Sequence, residues 1–189
     1  ADAKLSADGW IVGRKTMAEY GADVVEEKEP MEGHKTMQTN TFIGKREGRP
    51  LAVVFDIQGR LHYKSPTLPS GEHIVAVLGS HVTRAYQKEL EEIGVSYIMR
   101  TPGSKLEETQ SALKHLEHDF NVKHMLLEGG AITCGNFLQM GLVDELSMIV
   151  YPGLDGESDH PSVIECQGVV EPLKKNRLEL IDCETIGSG

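Results

Sequence analysis

Short runs of uninterrupted apolar residues recur along the chain, and most give way to glycine or polar residues and then to apolar positions three or four apart. Trp10-Ile11-Val12, Leu51-Ala52-Val53-Val54-Phe55, His73-Ile74-Val75-Ala76-Val77-Leu78, Val95-Ser96-Tyr97-Ile98-Met99 and the segment from His124 to Leu127 read as buried strands. Helices are predicted from Gly13 to Tyr20, from about Thr83 to Ile93, along a stripe of Leu106, Thr109, Leu113, Leu116 and Phe120, and from the Gly129-Gly130 pair to near Gly141. This alternation predicts an α/β, doubly wound, mainly parallel sheet with sites along the carboxyl ends of its strands. A further strand is expected at Leu146 to Tyr151, and an antiparallel edge strand at Leu178 to Cys183. The stretches from Ala22 to Arg49 and from Pro152 to Pro161 read as loop, the first with room for one short strand.

Length and composition set bounds on this pattern. With 189 residues, 39% of them hydrophobic, the chain can bury a full core and is expected to form one domain over 1–189. It shows no repeat, low-complexity tract or linker. A formal net charge of −10 argues against nucleic acid or an anionic membrane as partner, so an anion site must be built locally. No apolar run approaches the length of a bilayer span and the first residues do not resemble a secretion signal, so a cytoplasmic protein is expected. Cys134, Cys166 and Cys183 are widely spaced and odd in number, which fits free thiols. His115, His118 and His124 lack partners at metal-ligand spacing and share their segment with Glu117 and Asp119, so no metal is expected.

Candidate chemistry sits where strands meet helices. At Leu126-Leu127-Glu128-Gly129-Gly130-Ala131, paired glycines allow close approach of backbone to a ligand, and the helix behind them presents free N–H groups and a positive dipole end. A second junction, Val12-Gly13-Arg14-Lys15-Thr16, adds a hydroxyl and two cations. Both also read as plain turns, with Thr16 a cap and Arg14 and Lys15 surface charges. Two anion-type junctions together suggest a dinucleotide. Asp56 follows one buried strand and Ser80 another, each open to a ligand or a turn role.

The combination of Val12-Gly13-Arg14-Lys15-Thr16-Met17, Asp56 after a buried strand, Leu127-Glu128-Gly129-Gly130 and Gly141-Leu142-Val143-Asp144-Glu145-Leu146 resembles the C-terminal reductase domain of bacterial riboflavin biosynthesis proteins, in the dihydrofolate reductase-like superfamily. The resemblance covers nearly the whole chain. It implies NADPH as cofactor and hydride transfer to a small heterocyclic or ribosylamino-pyrimidine-type substrate, as in a 5-amino-6-(5-phosphoribosylamino)uracil reductase. Gly13, Arg14 and Thr16 at one junction and Gly129, Gly130, Ala131 and Ile132 at the other would hold the cofactor phosphates, with Asp56 and Ser80 also binding the cofactor. Ser80 matches the region that holds the adenosine ribose and its 2′-phosphate, Arg14 would favour NADPH over NADH, and Glu128 would face substrate. The family also implies a homodimer. Its first and last strands have no counterpart here, and Glu26-Glu27-Lys28-Glu29 stands where the riboflavin enzymes carry basic residues for a ribose phosphate. A dihydrofolate reductase-type pterin reductase and a non-catalytic nucleotide-binding module remain the alternatives. An unrelated hydrolase is not expected, since no Gly-x-Ser-x-Gly turn or metal-ligand cluster occurs.

Overall fold

The computed structural model describes residues 6–20, 24–26, 41–153, 162–166 and 178–187. The acidic run at Glu27 to Glu29 and most of the turn-rich stretch after Pro152 lie outside the described residues. The described residues form seven strands and four helices: β1 (Gly9–Gly13), α1 (Arg14–Tyr20), β2 (Val24–Glu26), β3 (Leu51–Phe55), β4 (Leu61–Tyr63), β5 (His73–Leu78), α2 (Arg84–Ile93), β6 (Ser96–Met99), α3 (Lys105–Phe120), β7 (Met125–Leu127) and α4 (Ala131–Gln139).

Five of the strands make one sheet in the order β6-β5-β3-β1-β7, with every neighbouring pair parallel. The expected mainly parallel, doubly wound architecture is thus present. β3 and β5 are apolar on both parities because both faces of the sheet are covered. On one face Val12, Val54 and Ala76 pack with Met17 of α1 and with Tyr86 and Leu90 of α2. On the other, Ile11, Val53 and Val75 pack with Ala112, Leu116 and Phe120 of α3 and Phe137 of α4. The predicted stripe on α3 begins later than its sequence pattern suggests, because Leu106 in its first turn is 38% exposed.

Local sequence fixes the helix boundaries. Thr83 caps α2 by accepting from the Tyr86 N–H, and Gly94 ends that helix at a φ of 89°. Ser104 and Glu107 form a reciprocal capping box at the start of α3, and Asn121 ends it in the left-handed region at a φ of 52°. β4 pairs with β2 in a separate antiparallel ribbon. Between β3 and β4, the buried Asp56 carboxylate accepts from the N–H groups of Arg60 (2.7 Å) and Leu61 (2.9 Å) and from the Tyr86 hydroxyl (3.3 Å). At the amino ends of the strands, Asp8 accepts from the N–H groups of Lys123 and His124, ties that hold the entry of β7 against β1 and pull the carboxyl pKa below its ordinary value.

Two expected strands are absent. Residues 146–151 and 178–183 carry no strand, and Val150, Tyr151, Leu180 and Ile181 are each more than four-fifths exposed. A strand exists only through hydrogen bonds to a neighbour, and among the described residues nothing pairs with the outer edge of β7. The antiparallel contacts that do form are the β2–β4 ribbon and the single bridges Phe42 to Tyr97 and Thr67 to His73.

Candidate functional site

Strand order decides where a site forms. The chain moves outward from β1 through β3 and β5 to β6, then returns by α3 to place β7 on the opposite side of β1. The exits from β1 and β7 consequently lead to helices on opposite faces, and the carboxyl ends of these two strands form the switch point at which open α/β sheets bind ligands. The Glu128 N–H donates to the Ile11 carbonyl at 2.9 Å, extending the pairing right up to the two glycine junctions.

Those junctions meet at Thr133, in the first turn of α4. A Cβ on Gly13 would lie 2.7 Å from Thr133 Oγ1, and one on Gly129 would lie 2.7 Å from Thr133 Cβ. Both glycines are therefore required by the approach of a single side chain. The Thr16 hydroxyl is the neighbour of Gly130, at 3.9 Å from where a Cβ would stand. Sequence alone gave no hint of Thr133, since nothing local marks it apart from its place three residues after Gly130.

The amino end of α4 is open. Gly130 is its N-cap and supplies no side-chain hydrogen bond, unlike Thr83 and Ser104 at the starts of α2 and α3. The first N–H groups of α4 are left without a capping side chain and its dipole without a compensating carboxylate, for no acidic residue lies in the first turn. Gly130 and Glu128 are exposed, Ile132 is 39% exposed and Ala131 is half-buried. The turn is pinned from behind by the Cys134 thiol, which donates to the Gly129 carbonyl at 2.9 Å and whose pKa burial pushes up.

Beside this junction lies a cleft of about 220 Å³. Gly13 and Arg14 bound it on the β1 side, Phe55 and Ile57 at the end of β3, Arg100 at the end of β6, and Lys105, Thr109, Thr133 and Asn136 on the helices. Phe55 and Phe137 meet edge to face there, with ring centroids 5.4 Å apart. Three cations and no carboxylate line the cleft among the described residues, in a chain of net charge −10. Arg100 is paired with Glu108, and Lys105 Nζ donates to Asn136 Oδ1 at 2.7 Å. Burial lowers the Arg100 pKa from its usual value, although a guanidinium remains charged at any physiological pH.

Of the residues singled out from the sequence, Gly13 and Arg14 line this cleft, Thr16 lies close to Gly130, and Glu128 to Ile132 form the exposed turn above α4. Asp56 and Ser80 are not among the lining residues; the Asp56 side chain is engaged in the β3–β4 turn, and Ser80 is half-buried in the turn after β5. Arg100 and Lys105 were missed. Their signal was position: Arg100 directly follows a predicted strand and Lys105 opens the helix after it, at the carboxyl end of the sheet. No group of His, Cys, Asp and Glu suited to a metal ion occurs among the described residues, and their cysteines are all free thiols.

Residues 2–189 match the model of one protein family, described as the RibD C-terminal domain. The chain belongs to the RibD C-terminal domain family. Among relatives of this RibD C-terminal domain is an *Archaeoglobus fulgidus* protein named 2,5-diamino-6-ribosylamino-4(3H)-pyrimidinone 5′-phosphate reductase, 26% identical over 144 residues, or 76% of this chain and 62% of the relative. A *Methanothermobacter thermautotrophicus* protein of the same name is 31% identical over 70 residues, covering 37% of this chain and 32% of the relative. The matched segments thus span less than two thirds of either relative. Among the described residues, no helix of this RibD C-terminal domain is long and apolar enough to cross a membrane.

Proposed function

We propose that this domain is an NADPH-dependent reductase whose substrate is a ribosylaminopyrimidine phosphate of the kind named for its relatives. The reading rests above all on the meeting of the Gly13 and Gly129 junctions at Thr133, beside the uncapped start of α4 and a cleft lined only by cations among its charged residues. A dinucleotide needs phosphate contacts from two directions, and these are backbone N–H groups and positive side chains at one switch point.

On this reading Gly13, Arg14 and Thr16 hold the cofactor from the β1 side, and Gly129, Gly130, Ala131 and Ile132 from the β7 side. Asp56 supports the site through the turn that carries Ile57 to the cleft, and Ser80, in the turn after β5 and outside the lining, meets the part of the cofactor that extends beyond the cleft. Bound NADPH supplies the hydride; the protein supplies orientation and electrostatics. Glu128, exposed at the end of β7, faces the substrate. The domain acts as a homodimer.

The test is a titration with NADPH and NADH followed by the nucleotides' own fluorescence, because Trp10 is a poor reporter: it stands near the opposite end of β1 with its indole on Glu72. NADPH is expected to bind about tenfold or more tighter than NADH, and to be oxidised when a ribosylaminopyrimidine phosphate is added. Failure of both nucleotides to bind overturns the cofactor reading, and NADPH bound without turnover of that substrate class overturns the enzymatic one.

A further inference from the structure

Arg100 is the most buried cation of the cleft. Its side chain is 9% exposed, its Nη2 is paired with Glu108, and its Nε–H is buried without an acceptor among the described residues. An unsatisfied N–H on a charged group is costly, and here the group borders an open cleft. Lys105 stands near it as the first residue of α3, reaching across to Asn136 on α4. The start of α3 itself offers an anion little, because Ser104 caps it and Glu107 and Glu108 lie in its first turn. The attraction comes from the two side chains.

We propose that Arg100 and Lys105 form the seat of a phosphate monoester, with Glu108 as a positioning residue that holds the guanidinium in place. The proposal rests on the reductase reading and narrows it: preference for a phosphorylated ligand belongs to these two residues rather than to Arg14 or Ser80. Glu108 occupies Nη2 of the guanidinium, and Arg100 lines the cleft, so the fork is held where an incoming oxygen can reach for its remaining donors. Lys105 adds a mobile charge from a second direction. A cleft of about 220 Å³ has room for a phosphate with part of its sugar, the rest of the ligand extending out of its open side. Two monoesters fit this chemistry, the 2′-phosphate of NADPH and the 5′-phosphate of a ribosylaminopyrimidine.

Calorimetric titration of the full chain separates them. The probes are 2′-AMP against adenosine and ribose 5-phosphate against ribose, each with wild type, Arg100→Gln, Lys105→Ala and Glu108→Gln. One monoester is expected to bind about tenfold tighter than its unphosphorylated counterpart, an advantage that Arg100→Gln and Lys105→Ala each largely remove. Preference for 2′-AMP assigns the seat to the cofactor, and preference for ribose 5-phosphate assigns it to the substrate. Glu108→Gln should weaken the monoester alone, whereas a merely structural role would weaken adenosine or ribose equally. If Arg100→Gln does not fold, the exposed Lys105 decides the matter. Monoesters that bind no tighter than their counterparts, or that bind Lys105→Ala and folded Arg100→Gln as tightly as wild type, overturn the proposal. Wild-type binding of NADH reports the nucleotide site separately, so failure of this seat and failure of the reductase reading are distinguishable.

Discussion

Replacing Gly13 with alanine tests whether Thr133 joins the two junctions. The added Cβ would stand 2.7 Å from Thr133 Oγ1, with Thr133 Cβ behind it at 3.9 Å, an ordinary contact distance. Either the first turn of α4 shifts or the threonine leaves its rotamer, and overpacking of this kind costs about 1–3 kcal/mol. Thr133→Ala removes the clashing hydroxyl and keeps the tolerable Cβ. The double variant Gly13→Ala/Thr133→Ala should therefore recover most of the loss, giving a coupling of about 1–2 kcal/mol in a double-mutant cycle. Gly129 supplies an internal contrast, because the atom nearest its added Cβ is Thr133 Cβ itself, at 2.7 Å. Gly129→Ala should resist rescue by Thr133→Ala. Urea unfolding of the full chain measures all of these. A neutral Gly13→Ala, or equal rescue of both glycine variants, would refute the geometry.

Two further outcomes concern the stability of the fold. His73 is fully buried, with Nε2 on Ser96 Oγ at 2.7 Å, and burial lowers its pKa from 6.5 to about 4. The unfolded chain takes up a proton below 6.5 that the folded protein refuses until about 4, so the His73 contribution is present above 6.5 and falls as pH drops through that window, by about 3 kcal/mol at most. Urea midpoints across the window should fall more steeply for wild type than for His73→Gln. Ser104→Ala removes the N-cap acceptor of α3 and should cost about 1 kcal/mol in the same assay, with Ser104→Asp retaining most of the stability.

The parallel sheet was legible because its strands are buried on both faces: Leu51 to Phe55 and His73 to Leu78 advertise themselves as uninterrupted apolar runs with turn residues after them. The same signal misled at Leu146 to Tyr151, and a weaker one, broken by Glu179 and Asp182, misled at Leu178 to Cys183; neither segment has a neighbour to pair with among the described residues. Apolar pattern reports what a segment would bury; it does not supply the partner. At the candidate site, glycines and the residues after them were readable from junction chemistry. Thr133, Arg100 and Lys105 were not, because each matters through contacts with elements distant in sequence: Thr133 with Gly13, Arg100 with Glu108 of α3, Lys105 with Asn136 of α4.

The position of β1 between β3 and β7 has a bearing on synthesis. Gly9 pairs with Leu51 on one side and Met125 on the other, so β1 gains its second neighbour only once β7, more than a hundred residues further along, has been made. Until then the nascent chain carries an apolar strand with one bare edge, and the crevice between the two glycine turns does not exist. Assembly of the ligand site thereby waits for β7, and any stalled or shortened product that ends before β7 is left with an open flank for other nascent chains or a chaperone to cover.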